Sequence, residues 1–251
     1  MYAVGAIDQS SVVASIRGIS SKMEAKNVVI PAFEVPARPE QSTVYFYDVP
    51  DAKQSVLRFG YPALAATDKD YYPAQVMNYR LGGGGFASQL TQQLREGKGY
   101  TYGIGSNFDG STIEGPFTIR SGVRSNVTYE SAALIKDILN NYGKNYSQED
   151  LEVSKSFLIK SNARAFETSR AKLGMLENIA AYDLPVDYAQ QREAIVQAMK
   201  VEDVKKLADK YLDPTKMIYF VVGDAKTQMK KLEQLGFGKP VLMNPTEEVK
   251  Q

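Results

Sequence analysis

Apolar and polar positions change period several times along this chain, and each change marks an expected element. Thr43-Val44-Tyr45-Phe46-Tyr47-Asp48-Val49 is rich in aromatic and β-branched side chains and predicts a strand. Residues 54–61 place Leu57, Phe59 and Tyr61 on one face at period two, a second strand that Pro62 is expected to end. Residues 70–81 read as a helix, with Val76, Tyr79 and Arg80 near its end. Four glycines, Gly82, Gly83, Gly84 and Gly85, then break the chain. Phe86, Leu90 and Leu94 follow at i, i+4 and i+8 and mark another helix, expected to stop at Gly97 and turn through Gly99 into a strand. Residues 101–108 and 116–123 read as paired strands around the turn signal Asp109-Gly110-Ser111.

From Val127 the period becomes helical. Ala132, Ile135, Ile138, Leu139 and Tyr142 form one stripe. Ser147 followed by Asp150 is a variant capping box opening a helix with Leu151, Phe157, Leu158 and Ile159 on its apolar side. Leu173, Leu176, Ile179 and Ala180 mark a third helix, ending near Asp183-Leu184-Pro185. Further helices fit 187–199 and 201–212, and Pro214 separates the last from a strand at 217–222. Strands, helices, strands, a long helical run and a final strand make an α+β pattern rather than a strict alternation.

Composition narrows the chemistry. The 251 residues are 43% hydrophobic, enough for one large core. Thirty basic against 29 acidic residues argue against a dedicated nucleic-acid or polybasic membrane surface. The basic clusters Lys205-Lys206 and Lys230-Lys231 sit at helical spacing and read as solvated faces. No apolar run reaches the ~20 residues of a membrane span. Met1-Tyr2-Ala3-Val4-Gly5 carries neither the basic region nor the long apolar core of a signal peptide. Cysteine and histidine are both absent. The chain therefore has no disulfide, no thiol nucleophile and no histidine base, and it lacks the ligands that zinc sites almost always use.

Two distant segments read alike. Tyr2-Ala3-Val4-Gly5-Ala6 and Phe220-Val221-Val222-Gly223-Asp224 are short β-type runs closed by glycine and followed by an amphipathic helix. Val12, Val13, Ile16 and Ile19 follow the first, and Met229, Leu232, Leu235 and then Phe237 follow the second, in a register that matches after a slip of a residue or two. Two unrelated strand–helix units are the alternative. If the repeat is real, residues 1–26 are the trailing strand–helix of a preceding domain, and their apolar side chains lose their native core here. Pro31, Pro36 and Pro39 stiffen a linker over 27–42, residues 43–245 form the main domain, and 246–251 are a tail.

Most candidate sites have ordinary explanations. The four glycines lack the Gly-Lys-Ser/Thr ending of a P-loop and follow a helix, which favours a tight turn over a phosphate cradle. Glu149, Asp150 and Glu152 lie in a predicted first helical turn, where negative charge offsets the dipole, and Asp68 and Asp70 precede a helix in the same way. Arg95 and Tyr102, seven positions apart across the turn at Gly99, are harder to set aside. A guanidinium and a phenol cannot cut a peptide alone, but both suit a carbonyl oxygen that is gaining negative charge.

Three motifs occur in order: Leu81-Gly82-Gly83-Gly84 with Ser88 and Leu90; Leu94-Arg95-Glu96 with Gly99 and Tyr102; and Val221-Val222-Gly223-Asp224. Together they resemble the second, C-terminal-type half of the insulinase (pitrilysin-like) zinc metallopeptidases, a family that includes processing-peptidase subunits. The likeness spans residues 43–240. The resemblance implies a mainly antiparallel sheet packed on one face by helices, facing a homologous half across a clam-shell chamber that encloses unfolded peptide. It implies that the other half carries zinc on an H-x-x-E-H motif, absent here, with no metal or cofactor on this chain. Arg95 and Tyr102 match the family's arginine–tyrosine pair in type and separation, which implies that they position the substrate and steady the oxyanion. Tyr100 departs from the leucine common at its position. The expectation is a substrate-positioning half that is inactive alone. A non-enzymatic assembly subunit on the same fold is the alternative.

Overall fold

The structure, a computed structural model, describes residues 2–24, 26–29, 34–164 and 166–243. Residues 30–33 of the expected linker and the tail 246–251 lie outside them. A six-stranded mixed sheet runs in the order β3-β4-β2-β5-β1-β6. Its strands are β1 (Thr43–Asp48), β2 (Gln54–Leu64), β3 (Thr101–Phe108), β4 (Gly115–Arg124), β5 (Ile218–Gly223) and β6 (Val241–Met243). β2 is antiparallel to β4 and β5, β3 is antiparallel to β4, and β1 lies parallel to both β5 and β6. The helices are α1 (Gln9–Ser20), α2 (Tyr71–Asn78), α3 (Thr128–Asn145), α4 (Gln148–Arg164), α5 (Ser169–Tyr182), α6 (Tyr188–Ala198), α7 (Val201–Tyr211) and α8 (Ala225–Gln228). Among the described residues none is long and apolar enough to cross a membrane.

Strand alternation sends Val44, Phe46, Leu57, Phe59, Phe117, Ile119, Tyr219 and Val221 to one face, where they are fully buried under the helical layer. The α3 stripe of Ala132, Ile135, Ile138, Leu139 and Tyr142 closes this core from above. Tyr142 is buried with its hydroxyl donating to the Met77 carbonyl at 2.6 Å, and burial pushes its ionisation well up. The opposite face of β2 and β4 carries Val56, Arg58, Arg120, Gly122 and Arg124, all exposed. One face of the sheet is therefore core and the other stays open.

Several elements differ from the sequence reading. β2 runs through Pro62 to Leu64. Its pairing with β5 ends at Gly60, so Pro62 has β4 on one side and no ladder to donate to on the other. Phe86 is 61% exposed and lies in a short 3-10 turn, not on the stripe of the fully buried Leu90 and Leu94. Tyr2–Ala6 is not a strand and pairs with none among the described residues. β6 was not anticipated, since three residues are too few to show a period. α5 buries none of its side chains fully, and Phe157 of α4 stacks outward on Tyr79 at 4.7 Å. In α1, capped by the Asp8 carboxylate on the Ser11 amide, Val13 and Ile19 are exposed while Val12 and Ile16 are half-buried.

Arg80 joins three segments after α2. Its guanidinium donates to the Asp150 carboxylate at 2.8 Å from Nε and 2.6 Å from Nη2, and Nη1 donates to the Ala87 carbonyl. Asp150 also accepts from the Ser147 amide and hydroxyl, and its own amide donates to the Ser147 hydroxyl oxygen, a complete capping box. Burial raises the Asp150 carboxyl, but the Ser147 amide, the Arg80 guanidinium and the Ser147 hydroxyl outweigh it, and the net shift is downward. A depressed carboxyl stabilises the fold above its unfolded value of about 3.9 and loses that contribution as pH falls through its folded value. Asp150→Asn should therefore cost about 1–3 kcal/mol at neutral pH and flatten the stability loss below about pH 4, as read by urea unfolding across pH.

Candidate functional site

Arg95 and Tyr102 line a single concavity of about 440 Å³, shared with Gln54, Glu96, Gly99, Gly122 and Arg124. Arg95 ends a π-helical segment, Thr91–Gly97, in which the Lys98 amide reaches back to the Gln93 carbonyl. The Tyr100 amide closes on the Leu94 carbonyl at 2.9 Å, and Gly99 holds φ +60°, a value that disfavours a side chain. The chain thus reverses within a few residues and enters β3. The Arg95 guanidinium lies 4.7 Å over the Phe86 ring, and its Nε is 3.3 Å from the Glu96 carboxylate. Phe86, misplaced by its spacing, turns out to support the arginine.

Tyr102 is 90% exposed, which a plain strand position next to the core would not give. The cause is a β-bulge. Thr101 pairs with Val123 and Ile104 with Ser121, so Tyr102 and Gly103 together oppose Gly122. The extra residue re-aims the phenol out of the sheet. Two buried hydroxyls hold the bulge. Thr101 Oγ1 has one proton to give, with the Gly122 carbonyl at 2.6 Å and the Gly103 carbonyl at 2.8 Å both in reach, and it accepts from the Gly103 amide at 3.0 Å. The Ser121 hydroxyl has Thr101 Oγ1 at 3.0 Å and the Gly103 carbonyl at 3.1 Å as acceptors for its one proton.

The four glycines build the turn that leads from α2 to the segment carrying Arg95. A Cβ on Gly82 would come within 2.6 Å of the Ser106 amide nitrogen on β3 and 2.8 Å of a Leu90 methyl. Gly83 and Gly84 pass close to Asn78 and the Tyr79 carbonyl, and Gly85 has φ +57°. Asn78 completes the joint, donating to the Ser106 carbonyl at 2.7 Å and accepting its hydroxyl at 2.5 Å.

Sequence reading missed Thr101, Ser121 and a row on the open face. Arg58 of β2 stands directly opposite Arg120 of β4, flanked by Phe220 on one side and Gly105 on the other. Directly opposed like charges cost about 0.2–1 kcal/mol. Neither arginine belongs to the three ion pairs among the described residues, Arg80–Asp150, Arg95–Glu96 and Lys210–Asp70. The alternation Arg120-Ser121-Gly122-Val123-Arg124 is visible in sequence, but its register against Arg58 is not. Among the described residues no cluster of three or more His, Cys, Asp or Glu could hold a metal, and the donor set of the chain does not fit zinc.

Residues 1–158 match the profile of the peptidase M16 inactive domain. The chain is 25% identical over 200 residues to the non-peptidase homolog YmxG of Helicobacter pylori, covering 78% of this chain and 45% of that protein. It is 30% identical over 98 residues to an uncharacterized zinc protease of Streptomyces coelicolor, covering 39% of this chain and 21% of that one. The crystal structure of a peptidase M16 inactive domain from Pseudomonas fluorescens superposes with a TM-score of 0.77 at 28% identity, over 88% of this chain and 53% of that one. A protease from Helicobacter pylori has the same fold, with a TM-score of 0.78 at 17% identity. The chain spans about half the length of YmxG and of the Pseudomonas chain.

The bulge gives a direct test of how the phenol is aimed. Thr101→Val removes the hydroxyl that serves Gly103 and Gly122 and should cost about 1–3 kcal/mol, seen as a lower urea midpoint at unchanged slope. Amide exchange at Tyr102 and Gly103 should speed up in that variant, and Thr101→Ser should restore both.

Proposed function

Because the chain belongs to the peptidase M16 inactive-domain family, we propose that it is the substrate-positioning half of a zinc-dependent endopeptidase, paired with a homologous zinc-bearing half. The observation that carries this reading is the shared concavity of Arg95 and Tyr102, with the phenol exposed by a dedicated bulge. A guanidinium and a phenolic O–H offered from one wall suit a peptide carbonyl that becomes an oxyanion under attack. The π-helical turn and the bulge set both groups on rigid backbone, so they need not reorganise as charge develops. Metal chemistry belongs to the partner half, whether on the same polypeptide or a separate subunit. The substrate is unfolded peptide, which presents its backbone to the open sheet face.

A second reading has its own support. The Helicobacter pylori relative is named a non-peptidase homolog, which favours a non-enzymatic assembly subunit on this fold. Pairing with a zinc-bearing half separates the two. Under the first reading the mixture cleaves unfolded peptide, and Tyr102→Phe lowers kcat by about 10²–10³ while zinc content and assembly are unchanged. Undiminished turnover in that variant removes the clamp role, and no cleavage with intact assembly favours the scaffold.

A further inference from the structure

The open sheet face holds more than the clamp. The concavity of Arg95 and Tyr102 adjoins a second one of about 400 Å³, lined by Arg58, Arg120 and Gly105, and the two share Gly122. That second hollow in turn shares Arg58 with a third of about 520 Å³, walled by Val35, Pro62, Ile113, Pro116 and Ile218. The three hollows follow one another as a trough across β3, β4 and β2, each meeting the next at one shared residue. At Gly103 and Gly122 a Cβ would meet nothing within 4 Å, so the trough floor is bare backbone open to a close approach.

Charge is uneven along it. Arg58 and Arg120 stand side by side with no acidic partner. Glu96 lines the first hollow but pairs with Arg95, and Glu34 and Glu114 line the third hollow with Arg58 but form no ion pair with it. Two unneutralised guanidinia in one row form a fork for carboxylate oxygens. Resting on the reading of the chain as a peptide-positioning half, we infer that Arg58 and Arg120 are specificity-determining residues that select peptides carrying Asp or Glu about two residues from the cleavage point. Gly122, opposite Tyr102, and Arg120 are two residues apart on β4, or about 7 Å at strand rise. The acidic side chain therefore sits about two residues from the carbonyl held by Tyr102, with an apolar side chain beyond it over Ile113 and Ile218.

Labelled host peptides that differ only in Asp against Asn at that position test this by fluorescence anisotropy on the full chain. At low ionic strength the Asp peptide should bind about tenfold more tightly, and added salt should shrink the gap. The double variant Arg58→Gln, Arg120→Gln should bind both peptides equally and unfold at the same or a higher temperature, since a like-charge pair is relieved. Tyr102→Phe should keep the Asp preference, which separates this selectivity from the clamp. Equal binding of the two peptides by the unaltered chain overturns the inference and leaves peptide positioning standing. Binding of neither overturns both. Competition by inorganic phosphate or single-stranded DNA as strong as that of the Asp peptide overturns the assignment to acidic peptides.

Discussion

The contact between Gly82 and Ser106 is the constraint on which the site depends. A helical turn can rest directly on strand β3 only because Gly82 has no side chain, and the Asn78–Ser106 pair then fixes the two backbones at one distance and register. From that joint the chain runs outward through the buried Leu90 and Leu94 to Arg95, while β3 runs back to Tyr102. Arg95 and Tyr102 thus stand at the free ends of two elements pinned at their base. A larger residue at Gly82 would lift the turn off the strand and move the guanidinium relative to the phenol without touching either. This is the structural content of the glycine run, and a phosphate cradle plays no part in it.

Whatever follows from one-dimensional period was legible in the sequence. The strands β1 to β5 and the helices α3, α4, α6 and α7 each present one apolar face to a single core, so composition and spacing carry enough information to place them. The family resemblance added what spacing could not, the pairing of Arg95 with Tyr102. Features set by a neighbour were not legible. Pro62 stays in its strand because β5 stops at Gly60, a property of β5. The bulge at Tyr102 exists because two hydroxyls on different strands meet, and nothing in Thr101 or Ser121 alone announces it. Phe86 matched the spacing of a core residue but follows a glycine of positive φ that rotates it to the surface. Arg80 looked like a helix-end charge, yet it is the cation that ties the glycine turn to the start of α4. The Arg58–Arg120 row required the register of a ladder joining residues 62 positions apart.

Stability rests on one face of the sheet, and the candidate site lies on the other. The helical face holds the large buried side chains, with tyrosine hydroxyls answered by carbonyls, as Tyr142 is by Met77. The open face carries glycines, arginines and partly exposed rings, which add little to the core and at Arg58–Arg120 oppose folding slightly. The exposed apolar residues of α1 belong with this second set.

This division decides how the clamp should be weighed. Tyr102 at 90% exposure contributes almost nothing to the core, and Arg95 rests on a phenylalanine that is itself exposed. A chain used only as a scaffold would gain no stability from turning a phenol into solvent, although the two hydroxyls stabilise the bulge that does so. The bulge forgoes regular ladder hydrogen bonds at the end of β3, and the like-charged row beside it adds a further small cost. Both costs fall on the open face, beside the two adjoining concavities. Local costs gathered on a single concave surface are what a binding site requires, because preorganised donors must be held away from the partners that would otherwise satisfy them.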